Sequence, residues 1–97
     1  MSNNVFADID ISDPETHLAK AKIVHKLSRI IAEQGLIQVE AGARLGLSQP
    51  KLSALLNGQF RGYSVERLLR FVTALHHTVR IEIEAEAGQE QGQLVVA

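Results

Sequence analysis

The segment GLIQVEAGARLGLSQPKLSALLN, residues Gly35–Asn57, says more about this chain than any other. It reads as two short helices joined by a tight turn at Gly46. Gln38–Leu45 is the first, with Ala41 and Leu45 four residues apart on one face. Gly46 suits the helix C-terminal position that needs positive φ, and Leu47 drops into the core behind it. Ser48 offers an oxygen to the orphan N–H groups of the next helix. Pro50 costs little there, because the first turn of a helix has no intrahelical bond to lose. The second helix buries Leu52 and Leu55, turns Gln49, Lys51, Ser53 and Ala54 outward, and stops at Asn57-Gly58. Long polar side chains left unpaired at a helix start are what reading base edges in a DNA groove requires.

The flanks supply the rest of a core. Ser12, Asp13, Pro14 and Glu15 spell a helix start, with Ser12 and Glu15 as a capping box or Asp13 as the cap before Pro14. That helix is expected to run to about Gln34 and to end at Gly35. Ala19, Ile23, Val24, Leu27, Ile30 and Ile31 form its apolar stripe, and Lys22, Lys26 and Arg29 share the opposite side. Such a row of cations is more often a solvated face than a contact to phosphate or to an acidic partner. After Gly58, Gln59–Tyr63 reads as a loop and Ser64 as the cap of a last helix. Val65, Leu68, Leu69, Val72 and Leu75 follow helical spacing there. Phe71 and Ala74 fall partly off that stripe, which fits either a second subunit or a broad core face.

Thr78–Ala85 differs in kind. Val79, Ile81, Ile83 and Ala85 alternate with Arg80, Glu82 and Glu84, the period of a half-buried strand. One strand after a run of helices needs a partner for its N–H and C=O groups. Pairing across a twofold axis with a second copy is the expected solution. Val5–Ile11, where Ala7, Ile9 and Ile11 alternate with Asp8 and Asp10, or another protein are the alternatives. Val79, Ile81, Ile83 and Phe71 are thus the expected dimer-interface residues. Met1–Asn4 is expected to be disordered, and GQEQGQLVVA, residues 88–97, to be a mobile tail. The expected organisation is an arm over 1–13, a helix-turn-helix domain over 14–76, a strand over 77–87 and the tail.

Bulk properties narrow the class. Ninety-seven residues make one domain with a single modest core. The chain has no cysteine, hence no disulfide and no thiolate metal site, which suits a reducing cytosol. No apolar run reaches the roughly 20 residues of a membrane span, and acidic MSNNVFADID is no signal peptide; a cytoplasmic protein is expected. The net charge of −1 hides a segregation. All ten Lys and Arg lie between Lys20 and Arg80 against only Glu33, Glu40 and Glu66, a local net of +7, and the other eight acids lie outside. A cationic middle between anionic ends can orient on a polyanion. No catalytic constellation stands out. His17, His25, His76 and His77 lack the spacing and partners of a metal site, Ser48 and Ser53 have no His–Asp context, and there is no phosphate-binding Gly-rich loop. No enzyme, metal or cofactor is expected.

At Gly35-Leu36, Gln38, Leu45-Gly46-Leu47-Ser48-Gln49, Leu52-Ser53 and Asn57-Gly58 the chain resembles the Cro/phage-repressor, or XRE-type, helix-turn-helix family. Asn57–Leu75, NGQFRGYSVERLLRFVTAL, narrows the resemblance to the HigA-like antitoxin branch, whose members are encoded beside a RelE/HigB-like toxin. The resemblance covers roughly Val5 to Ala85. It implies a mainly α, four- to five-helix, lambda-repressor-like domain, to which the residue pattern adds a C-terminal β-strand used in dimerisation. Two departures stand out. Ile37 replaces the usual Thr and removes a hydroxyl cap, and Gly42 sits inside a helix where Gly costs about 1 kcal/mol relative to Ala, unless it permits a close approach.

Carried over position by position, the family's roles make Gln38 a phosphate anchor that also braces Gln49. Gln49 becomes the reader of a base, since its amide can pair with N6 and N7 of adenine. Lys51 reaches guanine or a phosphate; Ser53, Asn57 and Arg61 grip the backbone, and Ser48 belongs to the same DNA-facing set. Ala54 is limited to a thymine methyl. The resemblance implies a dimeric repressor of a palindromic operator that also masks a ribosome-associated mRNA nuclease. The acidic terminal segments are the plausible toxin surface, because RNA-cutting partners are usually basic. Its rivals are a stand-alone or prophage regulator and a protein-interaction module with a vestigial helix-turn-helix.

Overall fold

A computed structural model describes residues 13–88 and 91–97. Four helices enclose one core in them: α1 (Pro14–Glu33), α2 (Gln38–Leu45), α3 (Gln49–Leu56) and α4 (Val65–Ala74). Asp13 caps α1. Its carboxylate accepts from the Thr16 N–H at 3.2 Å and the Thr16 hydroxyl at 2.6 Å. The hydroxyl bond first, then the backbone bond, hold the Asp13 carboxyl below its usual value. α1 is the spine of the fold, packed along α4 and α3, while α2 packs on α3 and α4. Its stripe is the expected one, with Ala19, Ile23, Val24, Leu27, Ile30 and Ile31 all buried and Lys22, Lys26 and Arg29 exposed.

The other helices bury fewer but complementary residues. Ala41 and Leu45 come from α2, Leu52 and Leu55 from α3, and Leu68, Phe71 and Val72 from α4. Leu47 and Leu75 enter from the segments beside them. Ser64 caps α4 by accepting from the Arg67 N–H at 3.0 Å. The far end of α4 is fastened to α1, since the Gln34 amide donates to the Leu75 carbonyl at 2.8 Å. That carbonyl has no partner within its own helix, so a side chain 41 residues away supplies one. His76 then leaves the helix at φ +68°, a conformation that side chains other than glycine enter at a cost.

Three expectations meet a different structure. Phe71 is 5% exposed within the single chain and therefore serves the core rather than an outer face. Its ring meets Tyr63 edge-on, with centroids 5.9 Å apart, and the Arg67 guanidinium covers both rings. The broad core stripe, not a second subunit, accounts for it. Residues 78–86 form no strand; a β ladder needs a second backbone, and no described segment pairs with them. Val79 packs on the core, whereas Ile81 and Ile83 stand 75% and 93% exposed. Residues 91–97 lie against α1, where the Leu94 N–H donates to Glu15 at 2.8 Å and Val96 packs against the core. The expectations for Met1–Asn4, for a strand over Val5–Ile11 and for Ser12 as a cap lie outside the described residues.

Candidate nucleic-acid interface

The site is built on the α2–turn–α3 unit. Gly46 takes φ +74° between the helices, and the Leu47 N–H turns back onto the Gly42 carbonyl at 2.8 Å. Gly42 is what lets that turn close. A Cβ on it would lie 2.5 Å from the Leu47 carbonyl oxygen, closer than any such pair is found. The residue that weakens α2 in the sequence is therefore where the turn backbone presses on it. Ile37 has no side-chain acceptor for the first turn of α2, so Glu40 alone helps, accepting from the Ile37 N–H at 3.2 Å.

Ser48 caps α3 as expected, its hydroxyl oxygen accepting from the Lys51 N–H at 3.3 Å. Anchored by buried Leu52 and Leu55, α3 exposes Gln49, Pro50 and Lys51 to solvent and leaves Ser53 and Ala54 half-buried. The Gln49 amide donates to the Gln38 side-chain oxygen at 2.7 Å, which joins the starts of both helices. A glutamine amide has two donors and an oxygen with two lone pairs. After this bond Gln49 keeps one N–H and its oxygen, the pair that adenine N7 and N6 demand. Fixing the side chain beforehand removes rotamer entropy from the cost of binding.

The remaining expected residues are spread along the same edge. Ser53 and Asn57 follow Gln49 by one and two helical turns, and the Asn57 amide is partly committed, donating to the Ser53 carbonyl at 2.8 Å. Arg61 stands exposed on the loop that leaves α3. Lys51 and Arg61 form no ion pair among the described residues. From Ala41 to Val65 the chain carries Arg44, Lys51 and Arg61 and no acid at all. With the partial positive charge of the α3 start, this surface repels cations and attracts phosphate.

Two features were not foreseen. Phe60, in the loop read as plain, is 5% exposed and lies 4.9 Å from the His17 ring, which nails the Arg61 loop to the start of α1. A lone aromatic among polar loop residues was the available signal. Pro50, read as a permissive helix-start residue, is also part of the outward face; its helical position opposite Leu52 and Leu55 was the clue. Among the described residues no helix is long and apolar enough to cross a membrane, and no group of His, Cys, Asp and Glu has the arrangement of a metal site.

A family model described as a helix-turn-helix domain matches residues 5–84. Among solved structures, the chain is similar to one described as "Putative XRE Family Transcriptional Regulator". The two share 36% identity at a TM-score of 0.80, over 88% of this chain and 97% of that one. None of the curated proteins compared with the chain matches it.

Proposed function

The chain belongs to the XRE-type helix-turn-helix family, and from that premise we propose that it is a dimeric, sequence-specific repressor of a palindromic operator upstream of its own gene. The observation that carries this reading is the Gln38–Gln49 pair at the start of α3, in a chain that from Ala41 to Val65 carries cations and no acid. Gln49 reads a base, and Lys51 reads a base or a phosphate. Gln38, Ser48, Ser53, Asn57 and Arg61 position the helix on the backbone. Gly42 is no sign of a vestigial module, because the turn that orients α3 is built around it.

Dimerisation falls to Thr78–Ala85. Exposed Ile81 and Ile83, next to half-buried Val79, offer an apolar edge whose backbone groups a second copy satisfies by antiparallel pairing. Two copies related by a twofold axis present two α3 helices to two half-sites. A monomer by light scattering at micromolar concentration refutes this part.

The finer role is that of an antitoxin that neutralises a RelE/HigB-like toxin. Its support is the Asn57–Leu75 segment, together with acidic ends suited to a basic partner. The relative described as a transcriptional regulator favours the second reading, a stand-alone regulator. Co-expression with the product of the neighbouring reading frame separates them: a stable complex with a small basic protein supports the antitoxin, and its absence supports the regulator.

The DNA reading is tested by fluorescence anisotropy at physiological salt, with the chain's own upstream DNA against a scrambled duplex of equal length. A preference of about a thousandfold or more is expected of a specific site. Equal, weak binding to both refutes autoregulation at that site.

A further inference from the structure

We propose that Pro50 and Ala54 form an apolar strip at the middle of the α3 reading face, and that this strip selects thymine by its C5 methyl group beside the adenine taken by Gln49. The proposal rests on α3 being the helix that enters the groove. At 3.6 residues per turn, Pro50 points opposite the midpoint between buried Leu52 and Leu55. Ala54 lies one turn further along the same side. Pro50 is exposed and Ala54 half-buried, with polar Gln49 and Lys51 on the two flanks. The part of α3 that meets the groove floor is therefore made of small side chains, apolar at Pro50 and Ala54 with the Ser53 hydroxyl beside them, and the longer polar reach of Gln49 and Lys51 is at its edges.

The chemistry of the base edges limits what this strip can accept. In the major groove the thymine methyl is the one apolar group that a base presents. Guanine O6 or the cytosine amino group set against a proline ring loses water and gains no partner. Pro50 is also rigid, so pressing it on a methyl group orders no side chain. Small residues along the middle of the face let α3 approach closely, which the Gln49 amide needs to reach both adenine atoms.

The test starts from duplexes selected by the protein out of a random pool. Each thymidine of a selected site is replaced in turn by deoxyuridine, which keeps every hydrogen-bonding group and deletes only the methyl, and affinity is read by anisotropy. Binding is expected to weaken about fourfold at one or two positions in each half-site, the loss for one buried methyl-sized group. In Pro50→Ala or Ala54→Gly the penalty at one of those positions should fall within twofold of none. A pool with no preferred sequence overturns the DNA reading itself. A preferred sequence whose uridine forms all bind within twofold of the parent overturns only the methyl assignment. So do penalties that persist unchanged in both variants. The uridine scan uses the unaltered protein and does not depend on either variant folding.

Discussion

Replacing Gly42 by Ala sets two effects of opposite sign against each other. Freed of its surroundings, α2 gains about 1 kcal/mol from the exchange, because alanine is the better helix former. In the folded chain the new Cβ stands 2.5 Å from the Leu47 carbonyl oxygen, where an ordinary carbon–oxygen contact needs about 3.3 Å or more. The obstacle is backbone, and the Leu47 N–H is bound to the Gly42 carbonyl at 2.8 Å, so the turn cannot swing aside without breaking that bond. Overpacking of this kind costs about 1–3 kcal/mol, and a rigid obstacle places Gly42→Ala in the upper part of that range. The net expectation is a loss of about 1–2 kcal/mol after the helix gain is subtracted. For a domain of this size that is a fall in Tm of roughly 5–15 °C. Thermal and urea unfolding followed by circular dichroism measure it. Gly62→Ala is the control, because a Cβ there meets nothing within 4 Å, and its effect should stay within about 0.5 kcal/mol. A Gly42→Ala protein as stable as the parent, or more stable, refutes the account and leaves Gly42 as a weak helix residue without purpose.

On a matched duplex Gln49→Ala should cost about 1–3 kcal/mol and relax sequence choice, whereas Arg61→Ala should weaken all duplexes alike and flatten the salt dependence by about one unit of slope. Identical behaviour of the two variants on matched and scrambled sites refutes the division of roles. His76→Gly should raise stability by about 0.5–1 kcal/mol, as relief of the left-handed backbone outweighs the entropy that glycine adds to the unfolded chain; urea unfolding shows whether it does. The Asp13 carboxyl is held down in the folded state, so its contribution is complete above the ordinary Asp value, about 3.9, and is lost as the pH falls through the lowered one. An NMR titration should find its midpoint raised in Thr16→Val, which lacks the hydroxyl that contributes most, and an unmoved midpoint refutes that cause.

The helices were legible because their signals are local and redundant. Asp13-Pro14, Ser48 and Ser64 each announce a start, and the Leu and Ile spacings on α1 and α4 allow only one buried face. The Gln38–Gln49 pair was also within reach, through family resemblance. Harder to read were features fixed by tertiary geometry. Phe71 lies at the margin of its helical stripe, and only the position of Tyr63 and Arg67 decides that it turns inward. Gly42 carries a propensity penalty in the sequence, and its benefit appears only when the Leu47 carbonyl is placed in space. The return of Leu94 to Glu15 spans 79 residues, beyond any periodicity. The alternation over Val79–Ala85 is a true pattern, but a pattern names a face and not the partner that covers it.

That uncovered segment has a consequence for handling the protein. Ile81 and Ile83 stand in solvent on chain without regular structure, and an exposed alternating apolar segment can template edge-to-edge stacking when many molecules are crowded together. Arg80, Glu82, Glu84 and Glu86 are interleaved with them and serve as gatekeepers, since like charges are forced together in a parallel, in-register stack of many copies. Their restraint is electrostatic, and about 1 M salt shrinks its range to roughly 3 Å. The same salt loosens contacts to phosphate. Conditions chosen to strip nucleic acid from the protein thus also release the brake on its aggregation, and a prompt return to low salt once the nucleic acid is gone restores it.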